Sequence, residues 1–229
     1  MKNRILLMVS SLALLISCMD EKQSFTSYVD PKIGSGGHGH VFVGANVPFG
    51  LVQLGPTSIP QQWDWCSGYH DSDSTVIGFS HTHLSGTGIG DLFDITVMPV
   101  VGDSLTYARG REEDPGTGLW SYADRTKEIA RPGYYCVPLT RYGVTAEMTA
   151  TSRVGMHRYT FPQSGNAGIV IDLMNGGCWD RPMDTYVEVV DPSTGLPDEN
   201  GTALKGYRFS RGWASDQKIY FYAEFSQPF

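Results

Sequence analysis

The side chains best suited to recognising a ligand are concentrated in residues 63–70, which read Trp-Asp-Trp-Cys-Ser-Gly-Tyr-His. Sugars present C–H faces that stack on aromatic rings, and hydroxyl groups that need polar partners. This segment supplies both kinds of group. In a regular strand Trp63 and Trp65 would face the same side. We favour an arrangement with one indole in the core and the other at a site, and the alternative is that both are in the core.

Histidines occur in two His-x-His pairs, His38 with His40 and His81 with His83. On a strand this spacing puts both imidazoles on one face, as Zn²⁺ sites often require, so the four rings could build one metal centre. Neutral histidines also serve as hydrogen-bond partners in polar cores and sugar subsites. We favour this second interpretation, and we expect no metal ligands in this chain.

Three aspartates, Asp91, Asp94 and Asp180, are the carboxylates that could take part in catalysis. Glycoside hydrolysis uses two carboxyl groups, about 5–5.5 Å apart in retaining enzymes and about 6.5–9.5 Å apart in inverting ones. Because these aspartates lie among apolar strands, we favour turn and capping roles for them. The sequence has no Gly-x-Ser-x-Gly elbow, and no base is assigned to activate Cys66 as a nucleophile.

Composition predicts a packed globular protein with many turns. The chain has 229 residues, of which 41% are hydrophobic and 27 are glycine, which fits one large β domain or two small ones. The formal net charge is −7 and no basic run occurs, so we exclude a nucleic-acid partner.

The first residues predict export to the cell envelope. Lys2 and Arg4 precede an apolar segment at residues 5–16, which is too short to span a bilayer. Residues 15–18, Leu-Ile-Ser-Cys, are typical of a lipobox with Cys18 as the lipidated residue. The alternative is an ordinary signal peptide. The acidic residues that follow resemble the surface-export signal of Bacteroidetes lipoproteins, so we expect an outer-membrane lipoprotein that is periplasmic or surface-exposed.

The other cysteines, Cys66, Cys136 and Cys178, are odd in number and cannot all pair. One disulfide is compatible with an exported protein. We favour buried or partly buried thiols.

Short strands separated by turn residues predict an all-β fold, an antiparallel β-sandwich. Residues 61–90 are expected to form a functional loop with little regular structure, and residues 109–133 a surface connection. The chain ends directly after an apolar strand, so we expect it to be truncated. The predicted strands are residues 41–43, 51–54, 95–101, 134–139, 144–150, 154–161, 167–174, 186–190, 203–210 and 218–225.

Several motifs together resemble the N-terminal domain of glycoside hydrolase family 92. They are YVDPKIG at 28–34, GGHGHVFVGA at 36–45, PFGLVQL at 48–54, WCSGY at 65–69, GFSHTHLSGTG at 78–88, GWA at 212–214 and FYAEFS at 221–226. The resemblance implies an exo-acting, Ca²⁺-dependent α-mannosidase that inverts the anomeric centre. It also implies a β-sandwich followed by a C-terminal (α/α)6 barrel that supplies the acid, the base and most Ca²⁺ contacts. This chain stops before that barrel, so we expect no catalytic residue and no Ca²⁺ site in it.

The resemblance implies that this domain lends residues to a mannose pocket at the domain interface. The candidates are Trp65, which we place first, and then Trp63, Gly68, Tyr69, His81, His83 and Asp91. The expected organisation is a signal peptide at 1–17, a lipidated N-terminus and linker at 18–27, and the sandwich domain at 28–229.

The expected whole enzyme hydrolyses terminal α-mannosides of N-glycans or mannans, and the chain alone is expected to be inactive. Its expected partners are a mannose-containing glycan, the (α/α)6 domain, and the membrane through the lipid anchor. Two alternatives are a non-catalytic glycan-binding lipoprotein on the surface and the remnant of a truncated gene.

Overall fold

The structure is a computed structural model that describes residues 24–102, 118–163, 165–177 and 179–229. Cys18 and Cys178 lie outside these ranges. The described residues form short strands and two 3₁₀ turns, Phe25–Tyr28 and Trp63–Ser67. The strands are β1 Ala45–Asn46, β2 Gln53–Thr57, β3 Thr75–Val76, β4 Gly78–Ser80, β5 Thr96–Val101, β6 Ser121–Tyr122, β7 Ile129–Arg131, β8 Tyr134–Leu139, β9 Val144–Ala150, β10 Gly155–Thr160, β11 Ala167–Asp172, β12 Arg181–Val190, β13 Ala203–Arg211 and β14 Gln217–Glu224.

Two antiparallel sheets enclose the main core. One sheet has the strand order β1-β2-β4-β5-β11, and the other has the order β10-β9-β8-β7. Strand β9 shows how the sequence specifies this packing, because Val144, Ala146 and Met148 are buried while the residues between them face outward. The core residues that these two sheets and their flanks contribute include Val43, Ala45, Leu54, Phe79, Met98, Val100, Tyr135, Val137, Leu139, Val144, Ala146 and Met148.

A third antiparallel sheet, β12-β13-β14, lies beside this sandwich. Alternation along β13 puts Arg208 in the protein interior, where its side chain is fully buried. On the opposite face Tyr207 stacks on Tyr186 of β12 and on Phe209. Tyr220 of β14 meets the rings of Tyr207 and Phe209 at steep angles. One face of the third sheet therefore carries the buried Arg208, and the other is aromatic and partly exposed.

The predicted all-β class and antiparallel sandwich are confirmed. The strands predicted at 134–139 and 144–150 have the predicted bounds. The strand predicted at 41–43 is wrong, although Phe42 and Val43 are buried, since strand pairing begins only at β1.

Two predicted irregular segments contain regular structure. Residues 61–90 include the Trp63–Ser67 turn, β3 and β4. The described part of the predicted 109–133 connection holds β6 and β7, and Leu119 and Trp120 within it are buried. Strands of two or three residues are too short to show a period, and for this reason composition suggested loops.

Cys66 and Cys136 are both buried, which agrees with the thiol interpretation. Burial raises the pKa of the Cys136 thiol. Among the residues that the structure describes, no helix has the length and apolar character needed to cross a membrane.

Candidate functional site

Three segments that are distant in sequence meet around one exposed indole. Trp63 is the first residue of the 3₁₀ turn Trp63–Ser67 and is 56% exposed. Its Nε1 donates a hydrogen bond of 2.7 Å to the Gly88 carbonyl, and its ring meets the His40 imidazole edge-on with centroids 4.3 Å apart. The indole is thus held from two sides while part of its surface faces solvent.

Asp64 brings two imidazoles to the same place. Its Oδ1 lies 2.7 Å from His38 Nδ1 and 3.0 Å from His40 Nε2. The hydrogen bond from His38 lowers the pKa of Asp64. The His38 side chain is 80% exposed, whereas that of His40 is 6% exposed. We call Trp63, Asp64, His38, His40 and Gly88 the Trp63 surface.

The loops of the Trp63 surface are tied to one another by hydrogen bonds that main-chain amides donate. The Gly86 amide donates to the His40 carbonyl at 2.7 Å, and the Phe42 amide donates to Ser85 Oγ at 3.1 Å. His40 has a φ of 55°, in the left-handed region that residues with a side chain seldom adopt. The surface therefore has a defined backbone conformation.

Trp65, the first sequence-based candidate, has a different environment from Trp63. It is half-buried, and its Nε1 donates to Asp73 Oδ2 at 2.7 Å. Its ring stacks on the His70 imidazole with centroids 4.2 Å apart and an interplanar angle of 15°. Asp73 also accepts bonds from the amide and hydroxyl of Thr75. Trp65 thus fastens its turn to the chain that follows.

Gly68 and Tyr69, two further candidates, occupy packed positions. Gly68 ends the turn with a φ of 89°, and a Cβ there would lie 2.9 Å from His83 Cδ2. Tyr69 is buried, and its hydroxyl donates to Glu128 Oε2 at 3.2 Å. Burial alone would raise the pKa of Glu128, but the nearby Arg125 guanidinium and other donors lower it.

The candidate His81 belongs to a hydrogen-bonded chain whose tautomers follow from its partners. Its Nδ1 lies 2.7 Å from the Ile95 carbonyl, which can only accept, so Nδ1 carries the proton. His81 Nε2 must then accept from His157 Nε2 at 3.0 Å, and His157 Nδ1 accepts from the Tyr159 hydroxyl at 2.7 Å. Burial lowers the pKa of His81 and lowers that of His157 to about 3.

The candidate His83 is 3% exposed and lies next to Phe42 and Phe93. Its Nδ1 is 2.8 Å from the Gln53 carbonyl. Burial lowers the pKa of His83 to about 4, despite that hydrogen bond. The ring is therefore neutral near pH 7. The four-histidine metal centre that spacing allowed is not formed, because the His81 and His83 rings each have other partners, away from Asp64.

The candidate Asp91 is buried and packs against the loop between β13 and β14. Its Oδ2 accepts from the Ala214 amide at 3.2 Å, and burial raises the pKa of its carboxyl group. A Cβ on Gly212 would lie only 1.9 Å from Asp91 Oδ1, so this glycine permits the approach of the carboxylate.

Asp94 and Asp180 share one buried cation, Arg208. Arg208 Nη1 lies 2.6 Å from Asp94 Oδ1, and Nη2 contacts Asp180 Oδ1. Asp94 also accepts from Thr82 and Gln217 at 2.7 and 2.9 Å. Asp94, just before β5, therefore fixes the third sheet to the sandwich, while Asp180, just before β12, holds Arg208 from its own sheet. Both aspartates have structural partners rather than turn or capping roles.

A cavity of about 280 Å³ lies next to this ion cluster. None of its lining residues belongs to the Trp63 surface. The cavity is lined by Gly50, Leu51, Gln53, Thr82, His83, Leu92, Asp94, Gln217 and Ile219.

Of the seven candidates, Trp63 alone lies on the exposed surface that the three loops build, and the other six occupy half-buried or buried positions. Their assignment to a sugar site stays a prediction. Sequence reasoning missed the convergence of His38 and His40 on Asp64, and it missed Arg208. The signal that could have indicated it is the alternation along β13, which places residue 208 on the face that points into the protein.

A family model, a known protein and several solved structures match this chain. The model described as "Glycosyl hydrolase family 92 N-terminal domain" matches residues 28–229. An "Uncharacterized secreted glycosidase" of Arthroderma benhamiae is 32% identical over 190 residues, which are 79% of this chain and 23% of that protein.

Two solved structures share the fold. A family GH92 alpha-mannosidase from Bacteroides thetaiotaomicron, in complex with mannoimidazole, is 40% identical with a TM-score of 0.80, over 89% of this chain and 25% of that one. A second GH92 family glycosyl hydrolase is 27% identical with a TM-score of 0.72, over 90% of this chain and 27% of that one. The chain thus spans about a quarter of the length of these relatives.

Proposed function

The chain belongs to glycosyl hydrolase family 92, of which it carries the N-terminal domain, and on this premise we propose that it serves an exo-acting α-mannosidase. The whole enzyme removes terminal α-mannosides from N-glycans or mannans with inversion. This domain shapes the mannose pocket and packs on a C-terminal (α/α)6 domain, which supplies the catalytic acid and base.

The observation that carries the proposal is the Trp63 surface. An exposed indole offers an apolar face to the C–H groups of a sugar ring, and Asp64 beside it offers an acceptor for hydroxyl groups. The contacts with Gly88 and His40 fix the indole, so little side-chain entropy is lost when a sugar binds.

Calcium, which the family resemblance implies, does not fit the group formed by His38, His40 and Asp64 on the Trp63 surface. Asp64 is its only carboxylate and the other two ligand atoms are imidazole nitrogens, whereas Ca²⁺ takes about six to eight oxygen ligands. We therefore place calcium in the C-terminal domain and assign it no step through residues of this chain.

The decisive test measures mannosidase kinetics and melting temperature on tryptophan variants of the whole enzyme. We expect Trp63→Ala to reduce kcat/KM at least tenfold with a nearly unchanged melting temperature. Trp213→Ala, which removes another exposed indole, is the matched control and is expected to retain activity. Normal kinetics for Trp63→Ala would refute the proposed role of the Trp63 surface.

Trp65→Ala tests the sequence-based preference in the same assay. Loss of the Asp73 bond and the His70 stack is expected to lower the melting temperature. A strong kinetic loss at a normal melting temperature would instead favour Trp65 as the sugar-binding indole.

The isolated chain is expected not to hydrolyse an aryl α-mannoside, with or without Ca²⁺, because the acid and base lie elsewhere. Ca²⁺-dependent turnover by the purified chain would contradict this division of labour. The alternative function is that of a glycan-binding lipoprotein, and the exposed aromatic face of the third sheet supports it. The same preparation tests this alternative. Retention of mannan by the chain alone, abolished by Tyr220→Ala, would favour it.

We further propose that Cys18 is lipidated and anchors the protein in the outer membrane, on the lipobox at residues 15–18. Cys18→Ala is expected to leave an unprocessed precursor. Wild-type processing and location of that variant would refute the anchor.

A further inference from the structure

Two imidazoles and one carboxylate converge on the Trp63 surface in an arrangement that the sugar-binding role does not require. His38 Nδ1, His40 Nε2 and Asp64 Oδ1 all lie within 4.8 Å of one another. Within the described ranges, this is the one group of three or more His, Cys, Asp or Glu side chains that is close enough to share an ion. We propose that these three residues bind a divalent transition metal ion, with Zn²⁺ as the representative.

The separations between the ligand atoms suit such an ion. Zn²⁺ binds imidazole nitrogen and carboxylate oxygen at about 2.0–2.2 Å. Two ligands of one ion at these distances lie about 3.0–3.4 Å apart for octahedral to tetrahedral angles. The observed separations from Asp64 Oδ1 are 2.7 Å to His38 and 3.0 Å to His40. Both separations from Asp64 Oδ1 are therefore within a few tenths of an ångström of the required values. The two imidazole nitrogens lie within 4.8 Å of each other, and the exposed His38 side chain can move to complete the site.

The surroundings hold two ligands in place and leave one side open. His40 is buried against Trp63, and its carbonyl is fixed by the Gly86 amide. Asp64 belongs to the Trp63–Ser67 turn, and its side chain is 18% exposed. Because His38 is largely exposed, the third ligand faces solvent and leaves room for a water molecule. Three protein ligands with an open fourth position are typical of accessible Zn²⁺ sites.

The donor set selects the class of metal. Imidazole nitrogens suit Zn²⁺, Cu²⁺ and Ni²⁺, whereas Ca²⁺ and Mg²⁺ favour oxygen ligands. The competing explanation is that the two histidines only donate hydrogen bonds that orient Asp64. The two explanations differ in whether one equivalent of Zn²⁺ binds and whether that binding depends on His38.

The test is calorimetric titration of the full chain, free of any polyhistidine tag, with ZnCl₂ at pH 7.5. Absorption spectra with Co²⁺ as a substitute report the coordination. We expect one equivalent of Zn²⁺ to bind. His38→Ala and Asp64→Asn should each weaken binding about tenfold or more and abolish the Co²⁺ spectrum.

Asp71→Asn is the matched control, because Asp71 is an exposed carboxylate near the same loop. Its Zn²⁺ affinity should equal that of the wild type. Since the His38 side chain is exposed, His38→Ala should fold normally, and circular dichroism checks this. Absence of saturable Zn²⁺ binding, or equal binding by wild type and His38→Ala, would overturn the proposal. Neither result bears on the tryptophan kinetics that test the mannosidase role.

Discussion

Lowering the pH should destabilise the sandwich through imidazoles that are neutral when folded. Burial lowers the pKa of His83 to about 4 and that of His157 to about 3. In the unfolded chain a histidine binds its proton near pH 6.5. As the pH falls below that value, the unfolded state takes up protons that the folded state does not. Stability is therefore lost with falling pH until the folded pKa is reached.

The magnitude follows from the two pKa values of each group. Between pH 7.5 and 5.5, a histidine with an unfolded pKa near 6.5 and a folded pKa near 4 costs about 1.3 kcal/mol. The cost is almost the same for a folded pKa near 3, because both values lie well below pH 5.5. His83 and His157 together should therefore remove roughly 2.7 kcal/mol, and His81, whose pKa is also lowered, adds to this.

Urea unfolding at the two pH values measures this loss directly. His83→Gln and His157→Gln should each reduce the pH-dependent loss by about 1.3 kcal/mol, whatever their effect on stability at pH 7.5. Tyr159→Phe removes the hydroxyl that bonds His157 but no imidazole, so it is the matched control and should keep the wild-type pH dependence. An equal loss in all four proteins would refute the assignment of buried neutral rings.

Two further substitutions probe the ion cluster and the fixed indole. Arg208→Met should lower the free energy of unfolding by about 3–5 kcal/mol in urea titrations, because it leaves two buried carboxylates without their cation, and a loss below about 1 kcal/mol would contradict this. A Cβ at Gly88 would lie 2.8 Å from Trp63 Cζ2, so Gly88→Ala should displace the indole and lower the activity of the whole enzyme. Gly86→Ala is the control for this variant, because the φ of 72° at Gly86 imposes a similar backbone strain while no atom lies near the new Cβ. Equal losses of activity for both variants would point to strain alone.

The fold could be predicted where one side of a strand is buried and the other is not. In β9 the alternation of buried and outward side chains fixes the strand, its phase and its bounds. In β4, Gly78, Phe79 and Ser80 are all buried, so no alternation exists to reveal the strand. The prediction therefore failed for the shortest central strands and succeeded for the hairpins.

The side-chain partners could be predicted only in type. The sequence indicates that histidines and aspartates are abundant near two tryptophans, but pairing depends on which loops meet. The backbone of residues 92–95 shows why, because Leu92, Phe93 and Ile95 all have positive φ values between 53° and 72°. No sequence rule places a β-branched isoleucine in that region, yet this conformation accompanies the contact of Asp94 with Arg208.

The different environments of the two tryptophans follow from the turn that joins them. In a strand, residues two apart share a face, but the segment Trp63–Ser67 is a 3₁₀ turn, with about three residues per turn. Successive side chains are then rotated by about 120° around the axis, so residues two positions apart also point about 120° apart. Trp63 is directed to the surface beside Gly88 and Trp65 to the Asp73 carboxylate, while Asp64 between them meets the histidines. One short turn thus sets an exposed indole, a half-buried indole and a carboxylate in three directions, and each has its own hydrogen-bond partner within the protein.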